Sequence, residues 1–469
     1  MKQAMKLAMN SATDIASAVR AGRISALSVL EDALVRIDAG AALGAFTDLC
    51  TERARAAAAS IDAKVAAGED PGPLAGVPVA VKNLYDIKGL TTRAGSRINR
   101  SHPPASQDAT LVARLEAAGA IIVGALNMGE YAYDFTGENV HDGPSRNPHA
   151  PDRMSGGSSG GSGVAAAAGL VAIALGTDTN GSIRVPSALC GCFGLKPTYG
   201  RLPRTGTFPF VASLDHVGPM ARSVMDLALS YDAMQGADIG DPGCAGRPIA
   251  PTSSELARGA GGLRIAVAGG YFARGGEPAA FEAVARAAQA LDATKIVEIP
   301  DAGVARAAAY IITMAEGAAL HLDRLRSAGP DFDPAVRERL IAGAMLPAAW
   351  VQKAQKFRRV YAERVSALFA DVDVILAPAT PCRAPLIGQQ SFVLDGVEMP
   401  VRPNLGVFTQ PISFIGLPVV TAPVFLEKGA LPLGVQVIAA PWREDLALRV
   451  AQALETLGVA TSPVALQPD

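Results

Sequence analysis

Apolar residues recur at three-to-four spacing from Ser11 to about Ala66, the pattern of amphipathic helices. In "SALSVLEDALVRID" the repeat begins directly after Ser25, a residue type that starts helices by accepting a backbone N–H. The pattern then changes. "LAGVPVAVKNLYDI" holds a β-rich run from Val77 to Val81 that ends in Lys82. "DATLVARLEAAGAIIVGALNM" predicts a helix capped by Asp108, a glycine turn and the strand "AIIVGA". "GVAAAAGLVAIALG", from Gly163, predicts a core helix running into a strand. Helix and strand alternate again in "SVMDLALSYDAM" with "LRIAVAGG", in "PAAFEAVARAAQAL" with "KIVEI", and within "ERVSALFADVDVILAP". This alternation predicts an α/β fold, a sheet covered by helices on both faces. A Gly/Pro/Ser-rich stretch around residues 237–262 reads as a surface loop. Because the α/β pattern continues on both sides of it, residues 1–469 are read as one domain with that excursion.

Composition narrows the class. The chain has 469 residues, 49% hydrophobic and 18% charged, as expected of a globular protein with a sizeable core. A net charge of −2 gives no whole-surface field for nucleic acid or an anionic membrane. The apolar stretch from Gly163 is too short to span a bilayer, and the apolar run in "MKQAMKLAMNSATD" is too short and broken for a signal peptide. The five cysteines (Cys50, Cys190, Cys192, Cys244, Cys382) form no C-x-x-C pair and no disulfide framework. Cys190 and Cys192 lack a second cluster to complete a zinc site, so they read as small buried side chains in a reducing cytoplasm.

Candidate chemistry centres on "MSGGSSGGSGVAAAAG", which starts at Met154. Gly/Ser tracts are often linkers, but this one runs straight into an apolar segment, where glycines mark close backbone approach. No lysine follows to make a P-loop, and the dinucleotide-binding glycine pattern fails. Gly156 to Gly160 satisfies G-x-S-x-G, yet no hydrophobic strand precedes it and no histidine lies near the C-terminus. His216, with Asp215 beside it, is the best histidine base, although sequence neighbours rarely face each other. A serine hydrolase without histidine can use a lysine whose pKa burial has lowered. Lys82, at the end of its apolar run, suits that role.

Three segments together resemble the amidase signature family: "PLAGVPVAVKNLYDIKGLTTRAGS", "GGSSGGSG" and "ALGTDTNGSIRVPSALCGCFGLKPTYGRLPRTG". "GLPVVTAPV" and "LPLGVQVIAAPW" extend the resemblance over nearly the whole chain. The resemblance implies a large mixed twisted β-sheet covered by helices on both faces. It implies an acyl-forming nucleophile at Ser182, a bridging Ser158 after a cis peptide bond, and Lys82 as base. N–H groups of Thr179, Asn180 and Gly181, with that of Ser182, would hold the oxyanion; Asn180 departs from the glycine usual there. Arg184 resembles an arginine beside the active site that either binds a substrate carboxylate or pins the loop through Asp178. "EYAYDF" resembles the segment lining the acyl pocket, which places Ala132 and Tyr133 against substrate, with Ser159 also among its contacts.

Where relatives carry a carboxylate-binding arginine, "EGAALHLDRLR" places His321 and Asp323. His321 is therefore a substrate-binding candidate, and Arg402 and Arg324 are candidates for the anion. Segments such as "LNMGEYAYDFTGENVHDGPSRNPH" and "KFRRVYAERVSALF" resemble a subgroup that releases ammonia from small, urea-like carboxylated amides in cyanuric acid breakdown. That subgroup implies homodimerisation of the large catalytic chain and a small accessory subunit, with no metal, organic cofactor, nucleic acid or membrane. The rival subgroup, the ammonia-generating subunits of tRNA-dependent amidotransferases, carries an "SSNLARYDG"-like segment that "AALHLDRLR" does not match. A non-catalytic scaffold would have no need of a buried lysine.

Overall fold

Eleven strands form one mixed sheet in the computed structural model, which describes residues 11–465. In chain order they are β1 (Phe46–Leu49), β2 (Pro78–Lys82), β3 (Ile121–Leu126), β4 (Ile173–Asp178), β5 (Phe193–Lys196), β6 (His216–Ala221), β7 (Ile265–Ala268), β8 (Lys295–Val297), β9 (Val374–Pro378), β10 (Val419–Val424) and β11 (Leu433–Ala439). Across the sheet the order is β1-β3-β2-β4-β6-β5-β10-β11-β9-β7-β8. β2 runs parallel to β3 and β4, β7 runs parallel to β8 and β9, and the remaining neighbours are antiparallel. Every residue of β2, β3, β4, β6, β10 and β11 is buried. Successive side chains point to opposite faces of a sheet, so this burial means that both faces are covered. The α/β expectation holds.

Local signals hold where a single residue decides them. Ser25 accepts the Ser28 N–H at 3.0 Å at the head of helix Ala26–Ala39. Asp108 does not cap its helix, which runs Thr110–Ala117 without a side-chain cap. Its carboxylate is instead held by two Arg53 bonds at 2.8 Å and the Lys88 N–H, a charge-assisted fork stronger than a cap. β1 lies where the sequence shows helical periodicity; it is a half-buried edge strand that pairs with β3. The 237–262 stretch is irregular apart from the short helix Ser253–Arg258, and Asp232 tethers it through the Thr252 and Ser253 amides. All five cysteines are free. Among the described residues no helix is long and apolar enough to cross a membrane. The segment read against a signal peptide lies, through residue 10, outside the described residues.

The glycine-serine stretch ends in a fully buried helix, Gly160–Ala167. A Cβ on Gly161 would sit 2.5 Å from the Ala45 carbonyl oxygen and 2.6 Å from the Asn127 nitrogen. These glycines allow contact with neighbouring backbone, and the linker reading falls. Alanine at Gly161 gains about 1 kcal/mol of helix propensity. Overpacking against backbone costs about 1–3 kcal/mol, so Gly161→Ala is expected to lower stability on balance. Urea denaturation checks this; an equally stable variant would show slack that the geometry denies.

Candidate active site

The end of β2 delivers Lys82 into the interior, where its side chain has no solvent exposure. Nζ lies 2.7 Å from Ser158 Oγ and 2.8 Å from Thr177 Oγ1, the latter on the neighbouring strand β4. Burial brings the lysine pKa down to about 7, against the pull of Asp215, Asp178 and Asp134. The partner serine follows a cis Gly157–Ser158 peptide bond. Its segment is fixed by backbone: the Gly157 N–H donates to Phe135 O at 2.8 Å, and Gly129 N–H to Ser158 O at 3.1 Å. Ser159, expected among the substrate contacts, is fully buried. Its hydroxyl donates to the Thr177 carbonyl and accepts the Thr177 N–H, both at 3.2 Å. It stitches the serine segment to β4.

β4 ends in a turn, Thr179 to Ile183, before the helix Arg184–Cys190. The N–H groups of Thr179, Asn180, Gly181 and Ser182 donate to no acceptor among the described residues. Buried amides are nearly always paired, so a run of open ones is a site feature. Gly181 is required here: its φ is +146°, and a Cβ would sit 2.2 Å from Thr409 Oγ1. That hydroxyl donates to Asn180 O at 2.7 Å. Ser182 lines a narrow cleft together with Ala132, Tyr133, Asn180, Phe210 and Arg339. Ser182 and Ser158 make no direct hydrogen bond to each other.

Arg184 pins the loop and does not reach the cleft. Its Nε and Nη2 each bond an Asp178 oxygen at 2.9 Å, Nη1 bonds Thr409 O and Gln436 Oε1, and Nη2 also reaches Ser413 Oγ. All five guanidinium N–H groups are thereby engaged. Burial pushes the Asp178 carboxyl up, but the Arg184 charge and hydrogen bonds overcome it and hold the group well below the carboxylate range.

The histidine alternative does not assemble. The Asp215 carboxylate takes Thr179 Oγ1 at 2.6 Å and the Phe210 and Val211 amides at 2.9 Å. His216 places Nδ1 2.9 Å from the Asp178 carbonyl, and burial drives its pKa well down. His321, expected at substrate, is core: its ring centroid is 4.1 Å from that of Tyr131, with Phe208 and Phe332 beside it. Burial lowers its pKa to about 3. Of the anion candidates, Arg402 is paired with Asp134 and Glu138, and Arg324 lies against the Phe208 ring. Asp323 is exposed beside Arg326.

Ala132 and Tyr133 do line the cleft. Tyr131 and Ala132 hold left-handed φ values of 49° and 61°, a strained pair of the kind that gathers at binding sites. Sequence reasoning missed Arg339, which also lines the cleft. The signal was present: Val336, Leu340 and Gly343 form the buried stripe of helix Pro334–Ala344, and Arg339 falls on that same stripe. A charge on an apolar stripe calls for a partner.

The chain matches the Amidase family over residues 28–448. It is 55% identical to AtzE, the 1-carboxybiuret hydrolase subunit of Pseudomonas sp. (strain ADP), covering 95% of this chain and 98% of that protein. It is 40% identical to a glutamyl-tRNA(Gln) amidotransferase subunit of Anaeromyxobacter dehalogenans (strain 2CP-C), covering 93% and 94%. Among solved structures, one described as a vestigial protein complex revealing the origins of an s-triazine catabolic enzyme superposes with a TM-score of 0.96. It shares 53% identity and covers 97% of this chain and 100% of that one. A bacterial aryl acylamidase of the amidase signature family superposes at 0.88 with 25% identity, covering 95% and 96%. Motifs, fold and relatives agree: the chain belongs to the amidase family and is a hydrolase of amide carbon–nitrogen bonds.

Proposed function

We propose that the protein releases ammonia from a small, urea-like carboxylated amide of the 1-carboxybiuret type, in cyanuric acid catabolism, through an acyl enzyme on Ser182. The observation that carries the chemistry is the buried Lys82, bonded to Ser158 with its pKa brought to about 7. A lysine poised there is half neutral at physiological pH, as a general base should be. The substrate class rests on the 55% identical 1-carboxybiuret hydrolase.

In this reading neutral Lys82 takes the Ser158 proton while Ser158 takes that of Ser182. Ser182 Oγ then bonds the amide carbon, and the carbonyl oxygen becomes an oxyanion facing the open amides of Thr179, Asn180, Gly181 and Ser182. As the tetrahedral centre collapses the C–N bond breaks, and Ser158, resupplied by Lys82, protonates the leaving nitrogen. Water then hydrolyses the Ser182 ester by the same relay. Pairing of two large chains, each with a small accessory subunit, belongs to this reading. The similar s-triazine enzyme described as a complex supports a partner. A cytoplasmic location fits the free cysteines. The second reading, glutamine hydrolysis for a tRNA amidotransferase, has the 40% identical relative in its favour.

Three outcomes are expected. Ser182→Ala lowers ammonia release by about 10⁴-fold or more, as loss of a nucleophile does; retained turnover sinks the acyl-serine route. The kcat/KM profile of the wild type falls about tenfold per pH unit below about 7, because protonation of Lys82 removes the base. In Lys82→Ala most of the rate goes, and the residual rate shows no such acid limb. Across 1-carboxybiuret, biuret, allophanate, malonamate, glutamine and aliphatic amides, the carboxylated ureas give the highest kcat/KM. A preference for glutamine would move the assignment to the amidotransferase.

A further inference from the structure

Asn180 stands in the turn before Ser182, and it lines the same cleft together with Thr313. The residue is held on two sides. Its backbone carbonyl accepts the Thr409 hydroxyl at 2.7 Å, and its Nδ2 donates to Thr313 Oγ1 at 2.9 Å. Thr313 is buried on helix Ala302–Ala328, which is locked to the cleft rim where the Tyr310 hydroxyl donates to the Pro403 carbonyl at 2.7 Å. These bonds fix the plane of the Asn180 amide. Its other atom, Oδ1, is buried and receives no hydrogen bond from any described residue.

A buried carbonyl oxygen without a donor is rare, and beside a cleft it marks a place for a donor on the ligand. The backbone N–H of Asn180 also lacks an acceptor among the described residues. One residue thus offers a donor and an acceptor, the complement of a carbonyl with an N–H beside it.

The chemistry of the substrate class decides which group meets Oδ1. An oxygen acceptor repels the carboxylate and carbonyl oxygens of a carboxylated urea, so only its nitrogens can donate. The leaving nitrogen must face Ser158, which protonates it, and Ser158 is not part of the wall that Asn180 and Thr313 form. The nitrogen retained in the acyl group is left for that wall. We propose that Asn180 Oδ1 accepts the N–H next to the scissile carbonyl on the acyl side, and so selects ureido substrates over amides that carry carbon there. The inference rests on the carboxylated-amide reading above and names a group that enforces its urea-like part.

Allophanate and malonamate share the carboxylate and the leaving amide, and differ only in having N–H or CH2 between them. Each is measured as a competitor of 1-carboxybiuret, whose disappearance is followed, in the wild type, Asn180→Ala and Asn180→Asp. Misfolded enzyme lowers the rate without altering either Ki. The wild type is expected to bind allophanate roughly tenfold more tightly than malonamate, because CH2 leaves Oδ1 unpaired. In Asn180→Ala the two Ki values draw together. Asn180→Asp keeps an acceptor, and its added charge repels both competitors alike, so the wild-type ratio is retained. Equal Ki values in the wild type, or a ratio that Asn180→Ala leaves unchanged, overturn the assignment, while 1-carboxybiuret turnover keeps the substrate reading in place. A ratio lost in Asn180→Asp as fully as in Asn180→Ala makes the amide a donor and overturns the assignment too. A wild type that does not turn over 1-carboxybiuret overturns the substrate reading, and this inference with it.

Discussion

A guanidinium sealed from water must find a partner for every N–H, and Arg184 finds them across the width of the molecule. Asp178 ends β4, Thr409 and Ser413 lie in the approach to β10, and Gln436 sits in β11. Removing one partner of a buried ion pair leaves a charge that costs about 3–5 kcal/mol. The pair therefore fixes the turn that carries Ser182 by making every other arrangement expensive. Asp178 also accepts the Ile183 N–H, so the turn is tied at both ends to the same carboxylate. The open amides between those ties stay open because the turn has no freedom to close on itself.

The same logic sets the charge of Lys82. Three aspartates lie near enough to favour its ammonium form, yet burial prevails. Each carboxylate is already committed: Asp178 to Arg184, Asp134 to Arg402, and Asp215 to Thr179 and two amides. Compensated carboxylates attract a neighbouring cation weakly, and desolvation then decides. A lysine with a pKa near neutral is thus a product of the pairing around it as much as of its own burial.

The sheet, the cap at Ser25, and the segment around Ser158 were legible because short-range pattern determines them. Lys82 was legible because an apolar strand that ends in lysine buries it. What stayed hidden depends on partners far away in sequence. Arg53 takes Asp108 from its cap, and Gln436 helps to saturate Arg184. Tyr131, Phe208 and Phe332 close around His321, whose position in the sequence pointed to substrate. β1 was hidden for a related reason, since an edge strand beside β3 carries little periodicity of its own. Periodicity tells which face of an element is apolar and leaves open what meets it.

The strand order carries a consequence for how the chain comes into being. β1 to β6 form one block of the sheet and β7 to β9 another, and the two are joined only through β10 and β11, which lie between β5 and β9. On a ribosome, both blocks emerge before the seam that unites them, each with an unpaired edge waiting. Such edges are sites of mispairing, and ladders between distant segments form late. Gln436 belongs to that seam. The turn that carries Ser182 gains its last buried partner only as the final strand slots into the middle of the sheet, so a nascent chain carries Ser182 long before that turn is fully held.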